Sequence, residues 1–311
     1  MIAKENFLEK YNITEELLLS AEISWEELCD IYEDFGKNKV TKYEDILGEF
    51  TNTYLKEGSK AKIHSIRSRV KDPEHLIAKI IRKKQDNQKK YKNLSKTNYE
   101  KFITDLIGIR CLVLFKEDWV DFHNYIISKF ENNIEYYIKD SILDFDNDET
   151  HYYIAEMPKA HIRNGDARDI FEKLLPPDCI KDGKVYRSVH YIIKYKGVYL
   201  EIQVRTLFEE GWGEVDHAIV YPYFQDDQIL KKYTELLNRL SGLADEMSSF
   251  FYLLKALEIE HLKQSGLTND TTSTITYKDS GFEIPDSQEK KQNEDRPLNT
   301  PNDYLKSVLE E

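Results

Sequence analysis

Hydrophobic residues recur at helical spacing in the first quarter of this chain and at strand spacing in its middle. The helical part has Thr14 and Ser24 directly in front of apolar turns, where such residues act as N-caps. A short extended segment, residues 63–71, then meets a helix whose start is marked by Asp72 and Pro73. The pattern therefore predicts a helical amino-terminal region followed by a first strand.

Runs of β-branched and aromatic residues predict the other strands. These runs are Ile109–Phe115, Ile134–Ile138, His151–Ala155, Ser188–Tyr195 and Tyr199–Val204. An amphipathic helix is predicted at residues 119–130, and the pair Lys196-Gly197 has hairpin spacing. Residues 156–183 are polar and predict a connection with one helix near residues 167–174.

The last third of the chain changes character twice. A long helix is predicted from about Asp227 to Leu262, with an apolar stripe that packs on the domain or on another subunit. From about Gly266 onward there are few apolar residues, so this part is expected to be largely disordered.

Length, charge and cysteine content narrow the classes of protein that fit. The chain has 311 residues and a formal net charge of −13, which argues against general nucleic-acid binding. No apolar run approaches the roughly 20 residues of a membrane span, and a signal peptide's apolar core is missing, so we expect a cytoplasmic protein. Cys29, Cys111 and Cys179 are far apart and are expected to be buried thiols without metal-binding function.

The net charge hides an uneven distribution. Residues 1–50 hold 5 Lys and Arg against 13 Asp and Glu, whereas residues 56–101 hold 15 Lys and Arg against 5 Asp and Glu. A basic block inside an acidic protein favours a local phosphate site, although a solvated helix face has the same composition.

The segment Tyr199–Tyr221 carries the most informative polar residues. Its strand part alternates, so that Glu201, Gln203 and Arg205 share one face and aliphatic residues share the other. A carboxylate, an amide and a guanidinium on one face suit a metal, a base and a phosphate, respectively. An edge strand with its polar face in water would show the same pattern.

A second group of polar residues is basic. Arg67, Arg69 and Lys71 alternate along the first predicted strand, and Lys79 lies two turns into the helix that follows. Cations on one strand face suit a polyphosphate, or an adenine stacked on a guanidinium plane. A basic surface strand is the plain alternative.

Two further motifs complete the candidate chemistry. The motif DLIGIR places Asp105 and Arg110 around a glycine at the start of a strand, which is a plausible corner for magnesium and phosphate. The motif YRSVHY contributes Tyr186, Arg187 and His190, which can contact the ring, phosphate and ribose of a nucleotide. An ordinary ion-paired turn and a structural histidine remain alternatives for these two motifs.

Taken in this order, the motifs resemble the RelA/SpoT-type alarmone synthetases. The pattern of that family is an RxK strand with a following helix, DxxGxR, GYRSxH, and ExQxRT with a downstream WxxxxH. This chain has RVK, DLIGIR, VYRSVH and EIQVRT, with Trp212 followed by His217, over about residues 60–255. It departs from the pattern at Val185, where the family usually has glycine, and residues 141–183 are longer than in compact members.

The resemblance implies an α+β fold with a mixed, mainly antiparallel β-sheet flanked by helices, as in nucleotidyltransferases, and helical terminal extensions. It implies transfer of the β,γ-pyrophosphate of ATP to the ribose 3′-hydroxyl of GTP or GDP, which gives (p)ppGpp and AMP. Asp105 and Glu201 would be the catalytic residues and would hold Mg²⁺, with Glu201 also helping to deprotonate the attacking hydroxyl.

The resemblance further assigns nucleotide-binding residues. Those for ATP would be Arg67, Arg69, Lys71, Lys79 and Arg110. Those for the acceptor nucleotide would be Tyr186, Arg187, His190, Gln203 and Arg205.

The hydrophobic pattern together with the resemblance divides the chain into four regions. They are a helical extension at 1–58, the synthetase domain at 59–224, the long helix at 225–263 and the largely disordered tail at 264–311. Long bifunctional members carry a hydrolase with an adjacent His-Asp pair, which this sequence lacks, so a small, synthesis-only member is expected.

Other functions are compatible with these motifs. A toxin-like relative would pyrophosphorylate the 3′ end of tRNA or an adenine nucleotide, and the basic segment 83–101 with Tyr91 and Tyr99 could contact RNA. A catalytically inactive nucleotide-binding module is disfavoured, because the sequence retains Asp105, Glu201, Lys79 and Tyr186 together. The partners expected are ATP, GTP or GDP and Mg²⁺, with no membrane, and a homo-oligomer is left open.

Overall fold

The computed structural model describes residues 3–56, 60–130, 150, 152–163, 165–184, 186–220 and 227–264. The predictions that lie outside the described residues are the strand Ile134–Ile138, the disordered tail apart from its first residue, and the positions of Val185 and Tyr221. Within the described residues, no helix is both long and apolar enough to cross a membrane.

The amino-terminal region is helical, as its pattern predicts. The described helices are α1, Lys4–Lys10; α2, Glu15–Ser20; α3, Trp25–Asp34; and α4, Val40–Tyr54, which follows α3 through a π-helical turn at Phe35–Lys39. The hydroxyls of Thr14 and Ser24 accept hydrogen bonds from the amides of Leu17 and Glu27, each at 3.1 Å. These caps satisfy amides that no helical carbonyl can reach, and so they determine where α2 and α3 begin.

A mixed sheet forms the centre of the described chain. Its strands are β1, Ser65–Val70; β2, Ile107–Val113; β3, Tyr153–Arg163; β4, Ile180–Lys184; β5, Ser188–Tyr195; and β6, Val198–Thr206. Their spatial order is β1-β2-β6-β5-β3-β4. The pairs β1–β2, β5–β6 and β3–β5 are antiparallel, whereas β2–β6 and β3–β4 are parallel. The predicted mixed, mainly antiparallel sheet of an α+β fold is confirmed.

Further helices flank the sheet. They are α5, Pro73–Asp86; α6, Gln88–Tyr91; α7, Tyr99–Phe102; α8, Asp118–Lys129; α9, Asp169–Glu172; α10, Leu207–Val215; and α11, Gln228–Gln264. A 3₁₀ turn covers Pro177–Cys179, and a π-helical turn at Asp216–Val220 follows α10. The start of α5 is the predicted one, because the Asp72 carboxylate accepts from the amide of His75 at 3.0 Å and Pro73 occupies the first turn.

The sheet has one apolar and one polar face. Along β6, Leu200, Ile202 and Val204 are buried and alternate with partly exposed polar residues. The apolar side joins a hydrophobic core that includes buried residues of α4, α5 and α8. Because successive side chains of a strand point to opposite faces, the polar residues of β1, β2, β5 and β6 collect on the other side.

The sheet excludes one alternative and contradicts one prediction. β6 lies between β2 and β5, so the alternative that Tyr199–Val204 is an edge strand is excluded. Residues 156–183 also contain most of β3 and the start of β4, not only a polar connection. The error has a physical cause, since polar residues of β3 lie on the polar face of the sheet and hide the alternation of buried Ala160 and Ile162.

Local predictions with strong turn or burial signals agree better with the structure. Lys196 and Gly197 join β5 to β6 with φ angles of +47° and +76°, as a two-residue hairpin requires. Cys111 and Cys179 are buried as predicted, whereas Cys29 is partly exposed.

Candidate active site

Polar side chains of β6 form a hydrogen-bonded row on the polar face of the sheet. Nη2 of Arg205 donates to Oε1 of Gln203 at 2.7 Å, and Nε2 of Gln203 donates to Oε2 of Glu201 at 2.9 Å. His190 of β5 lies opposite Gln203 and places its Nδ1 3.4 Å from Oε1 of Glu201. Both oxygens of Glu201 are thus oriented by neighbours on the central strands.

Asp105 precedes β2 and lies between two lysines. Its Oδ2 is 2.9 Å from Nζ of Lys71 and 2.6 Å from Nζ of Lys79. Lys71 directly follows β1, and its amide donates to the carbonyl of Leu106 at 2.8 Å. Lys79 lies two turns into α5, so the end of β1, the start of β2 and the middle of α5 converge on one carboxylate.

Asp105 and Glu201 line the same cavity, which has a volume of about 270 Å³. Four lysine side chains also line it: Lys79, Lys83, Lys90 and Lys159. The basic block of the sequence indicated Lys83 and Lys90, but no sequence signal indicated Lys159 in a segment predicted to be a connection. A third carboxylate, Glu156, also lines the cavity and pairs with Lys159, so the lysines exceed the carboxylates by one. Lys83 and Lys90 have no carboxylate partner described in the structure, and cations of this kind suit a polyanion such as a chain of phosphates.

Asp105 and Glu201 both ionise more readily than usual. Burial opposes ionisation of Asp105, but the charges of Lys79 and Lys71 outweigh it and lower the pKa of Asp105. Burial also opposes ionisation of Glu201, and there the hydrogen bond and charge of His190 lower the pKa. Each group is therefore an anion near neutral pH, able to bind a cation or accept a proton.

Tyr186, just before β5, lies beside aromatic and cationic side chains. Its ring centroid is 6.3 Å from that of His190, with 21° between the planes, and 5.7 Å from that of His161. The guanidinium carbon of Arg205 lies 5.3 Å from the Tyr186 ring centroid. His161 of β3 was missed in the sequence, because its strand was predicted to be a connection. The group provides planar surfaces on which a base can stack.

The predicted ATP-binding arginines separate into two environments. Arg67 and Arg110 are cross-strand partners, and Glu210 and Glu214 of α10 bind both of them. Nη1 of Arg110 lies 2.9 Å from Glu210 and 2.7 Å from Glu214, so its guanidinium is firmly placed. Arg69 is exposed and lies opposite Gly108, the glycine of DLIGIR.

Of the five residues predicted to bind the acceptor, His190 alone lines the cavity. Arg187 lies beneath α11. Its side chain is 5% exposed and forms an ion pair with Asp245 of α11, with Asp166 3.4 Å away on the other side. Thr206 donates to the same Asp245 carboxylate at 3.0 Å. The structure thus places Arg187 under the long helix, away from the cavity that Asp105 and Glu201 share.

The carboxylates of the cavity fit a magnesium ion. Oδ1 of Asp105 is buried and accepts no hydrogen bond in the structure, whereas Oδ2 is held by the two lysines. Mg²⁺ prefers oxygen ligands and is usually bound by one or two carboxylates together with substrate phosphates. Among the described residues, no group of three or more His, Cys, Asp and Glu side chains is placed to hold a metal ion. A magnesium ion at these two carboxylates would therefore also take ligands from the phosphates of the substrate.

Comparison with known proteins gives one family and several structures. A family model described as "Region found in RelA / SpoT proteins" matches residues 68–226. No curated protein matches. The protein smu.1046c from Streptococcus mutans is 19% identical, with 76% of this chain and 98% of that chain covered and a TM-score of 0.41.

Two other solved structures are similar to a comparable degree. A GTP pyrophosphokinase family protein from Streptococcus pneumoniae is 20% identical over 79% of this chain and 98% of that chain, with a TM-score of 0.41. The small alarmone synthetase 1 from Bacillus subtilis, bound to its product pppGpp, is 18% identical over 73% and 96%, with a TM-score of 0.38.

The family match covers more than half of the chain. It includes Asp105 and Glu201, Lys79 of α5 and Tyr186 beside β5, so all of these groups lie within the family region. On this basis, the chain belongs to the RelA/SpoT family.

Proposed function

We propose that this protein is a nucleotide pyrophosphokinase that transfers the β,γ-pyrophosphate of ATP to the ribose 3′-hydroxyl of GTP or GDP. The observation that carries the proposal is the pair Asp105 and Glu201, two ionised carboxylates on a lysine-lined cavity, in a chain of the RelA/SpoT family. Residues 59–224 would form the synthetase domain, acting in the cytoplasm.

ATP would bind at the end of the cavity nearest α5. Lys71 and Lys79 would exchange part of their contact with Asp105 for phosphate oxygens, since Nζ of each lies within 3 Å of that carboxylate. Arg69 and Arg110 would flank the adenine, with Glu210 and Glu214 keeping the Arg110 guanidinium in place.

Asp105 and Glu201 would hold Mg²⁺, which when bound neutralises charge on the phosphates and polarises the transferred group. The remaining contribution of the protein is the position of the two substrates and of the proton acceptor. Glu201 is suited to accept the proton of the 3′-hydroxyl, because its pKa is lowered and its oxygens are oriented by Gln203 and His190.

The acceptor base would stack on Tyr186, and Arg205 would support the ring from the other strand. Gln203 and His190 lie between that ring and Glu201, a position from which they can contact the ribose. Arg187 would act indirectly, by keeping the segment next to Tyr186 attached to α11.

The acceptor is tested directly by label transfer. The full chain is incubated with Mg²⁺ and γ-labelled ATP, and with GDP, GTP, ATP or tRNA in separate reactions. We expect label on GDP and GTP together with release of AMP. Label on tRNA, or on a 3′-pyrophosphorylated product of ATP, with none on GDP or GTP, would contradict the proposed acceptor but leave pyrophosphate transfer intact. Absence of label on every acceptor would contradict the enzymatic proposal itself.

A further inference from the structure

The long helix α11 has two faces of different character. On one face, Asn238 accepts a hydrogen bond from Arg163 at 2.9 Å and Asp245 binds Arg187, which attaches the helix to the sheet. The last partly buried residue on this face is Tyr252, and every described side chain beyond it is exposed. The other face is apolar and exposed along the whole helix.

The exposed apolar residues follow a heptad pattern. From residue 229 to residue 257 they are spaced alternately by four and three positions without a break, and each exposes 44–67% of its surface. The d positions of this pattern are Ile229, Leu236, Leu243, Phe250 and Leu257. We call the whole stripe, made of the d positions and the a positions, the seam.

The a positions of the seam are Tyr233, Leu240, Met247 and Leu254. A helix that only covers its own domain turns its apolar stripe inward, whereas this stripe faces away from the sheet. A repeat of 3.5 residues sustained over this length is the pattern of a coiled coil. The occupant that the seam fits is therefore another helix with the same repeat, and α11 of a second copy has it.

The charges beside the seam select the orientation of that second copy. The g positions carry Lys232 and Arg239 in the first half of the helix, and Glu246 and Glu260 in the second half. In a parallel pair, Lys232 and Arg239 would face e positions occupied by leucine and alanine. In an antiparallel pair, Lys232 faces Glu260 of the partner subunit at both ends, which forms two ion pairs. The same register sets Glu246 opposite its own copy at the centre, where each Glu246 is already paired with Lys116 of its own chain.

We propose that α11 pairs with α11 of a second copy of this chain as an antiparallel coiled coil. The register that pairs Lys232 with Glu260 sets Leu243 of one copy beside Met247 of the other, and Leu236 beside Leu254. This pairing covers the seam of both copies, including the end of each helix that projects past its own domain. It does not depend on the reaction that the enzyme catalyses.

The first test is the mass of the full chain in solution. Light scattering at micromolar concentration should give twice 36.8 kDa. Leu243→Glu introduces two carboxylates at the centre of the seam and should give a monomer with unchanged helix content by circular dichroism. The matched control is Glu235→Lys, an exposed charge change on α11 outside the seam, which should stay dimeric. A monomeric parent chain overturns the proposal.

The second test is the orientation of the helices. In a Cys29→Ser background, the double variant Leu236→Cys/Leu254→Cys should form a disulfide-linked dimer under mild oxidation, and Leu236→Cys alone should not. Cross-linking of Leu236→Cys alone would indicate a parallel pair and overturn the antiparallel assignment. A monomer that dimerises only after removal of residues 265–311 would assign the seam to the chain's own C-terminal segment, which also overturns the proposal.

Discussion

The cavity at Asp105 and Glu201 and the ion-pair cluster beneath α11 both combine cationic side chains with carboxylates, but the cavity is the more open of the two. Beneath the helix, the side chains of Arg187 and Asp245 are 5% and 1% exposed. In the cavity, Lys79 is 33% exposed and Glu201 20%. Opposite charges on one sheet therefore serve two purposes, and accessibility separates them.

The cavity and the ion-pair cluster beneath α11 also differ in how their cations are paired. In the cavity, Nζ of Lys83 and of Lys90 lie 6.0 and 5.9 Å from the Tyr91 ring centroid, so these cations can turn to a phosphate without breaking an ion pair described in the structure. In the cluster, Arg187 and Asp245 neutralise each other and are both almost fully buried. A buried pair of this kind costs several kcal/mol to break, because it leaves one charge uncompensated.

The largest effect is expected in the cavity, from Glu201→Gln. An amide cannot accept the proton of the 3′-hydroxyl, so AMP formation from ATP and GDP should slow by about 10²–10⁴-fold. Glu156→Gln is the matched control. It lies in the same cavity and pairs with Lys159, and its loss should change the rate about fivefold or less. An unchanged rate in Glu201→Gln would exclude Glu201 from proton transfer.

The next largest effect is expected in the cluster, from Arg187→Met. Because Asp245 would be left as an uncompensated buried charge, the free energy of unfolding in urea should fall by about 3–5 kcal/mol. The double variant Arg187→Met/Asp245→Leu should recover most of this loss. If its stability is restored but KM for GDP is strongly raised, Arg187 contacts the acceptor and the two regions are not separate in function.

A smaller effect is expected from Tyr186→Ala, at a residue whose ring lies beside His190 of the cavity. Loss of a stacking ring costs about 1–3 kcal/mol per base, so GDP should bind about 5–150-fold more weakly by calorimetry. Binding of a non-hydrolysable ATP analogue should be retained, as should GDP binding in Tyr186→Phe. Equal weakening of both nucleotides in Tyr186→Ala would argue for a structural role of the ring.

The smallest effect is the pH dependence of stability. Since the folded state lowers the pKa of Asp105 below its usual 3.8, its contacts with Lys71 and Lys79 stabilise the fold above that pH. This contribution is lost as the pH falls below 3.8 through the lowered pKa. Asp105→Asn should therefore lose less stability on acidification than the parent chain. Parallel profiles of unfolding free energy below pH 3.8 would contradict this.

Much of the fold follows from short-range signals in the sequence. The caps at Thr14 and Ser24 and the Asp72-Pro73 start of α5 depend on atoms within four residues, so their positions could be predicted. The Lys196-Gly197 hairpin is equally local. The resemblance to the RelA/SpoT family, which rests on motifs spread over residues 60–255, is confirmed by the family match.

The sheet order and the partners of the charged residues could not be predicted in the same way. β6 is central because β2 pairs with it across about 90 residues of chain, a contact that its own alternation does not reveal. The strand predicted at His151–Ala155 covers only the start of β3, because the polar face of residues 156–163 hides the alternation, and His161 was missed with that part. The sequence neighbours of Arg187 gave no sign that Asp245, 58 positions away, binds it.

By itself, the sequence determined the chemistry available to this protein: two carboxylates, a basic strand and helix, a stacking tyrosine and a heptad stripe. Each depends on residue type and on a period of two or of about three and a half positions, which are local properties of the chain. Only the tertiary structure decided that Asp105 and Glu201 line one open cavity while Arg187 is enclosed beneath α11. The pKa of a charged group and the energy of its interactions depend on its burial and its partners, and both are supplied by residues distant in sequence.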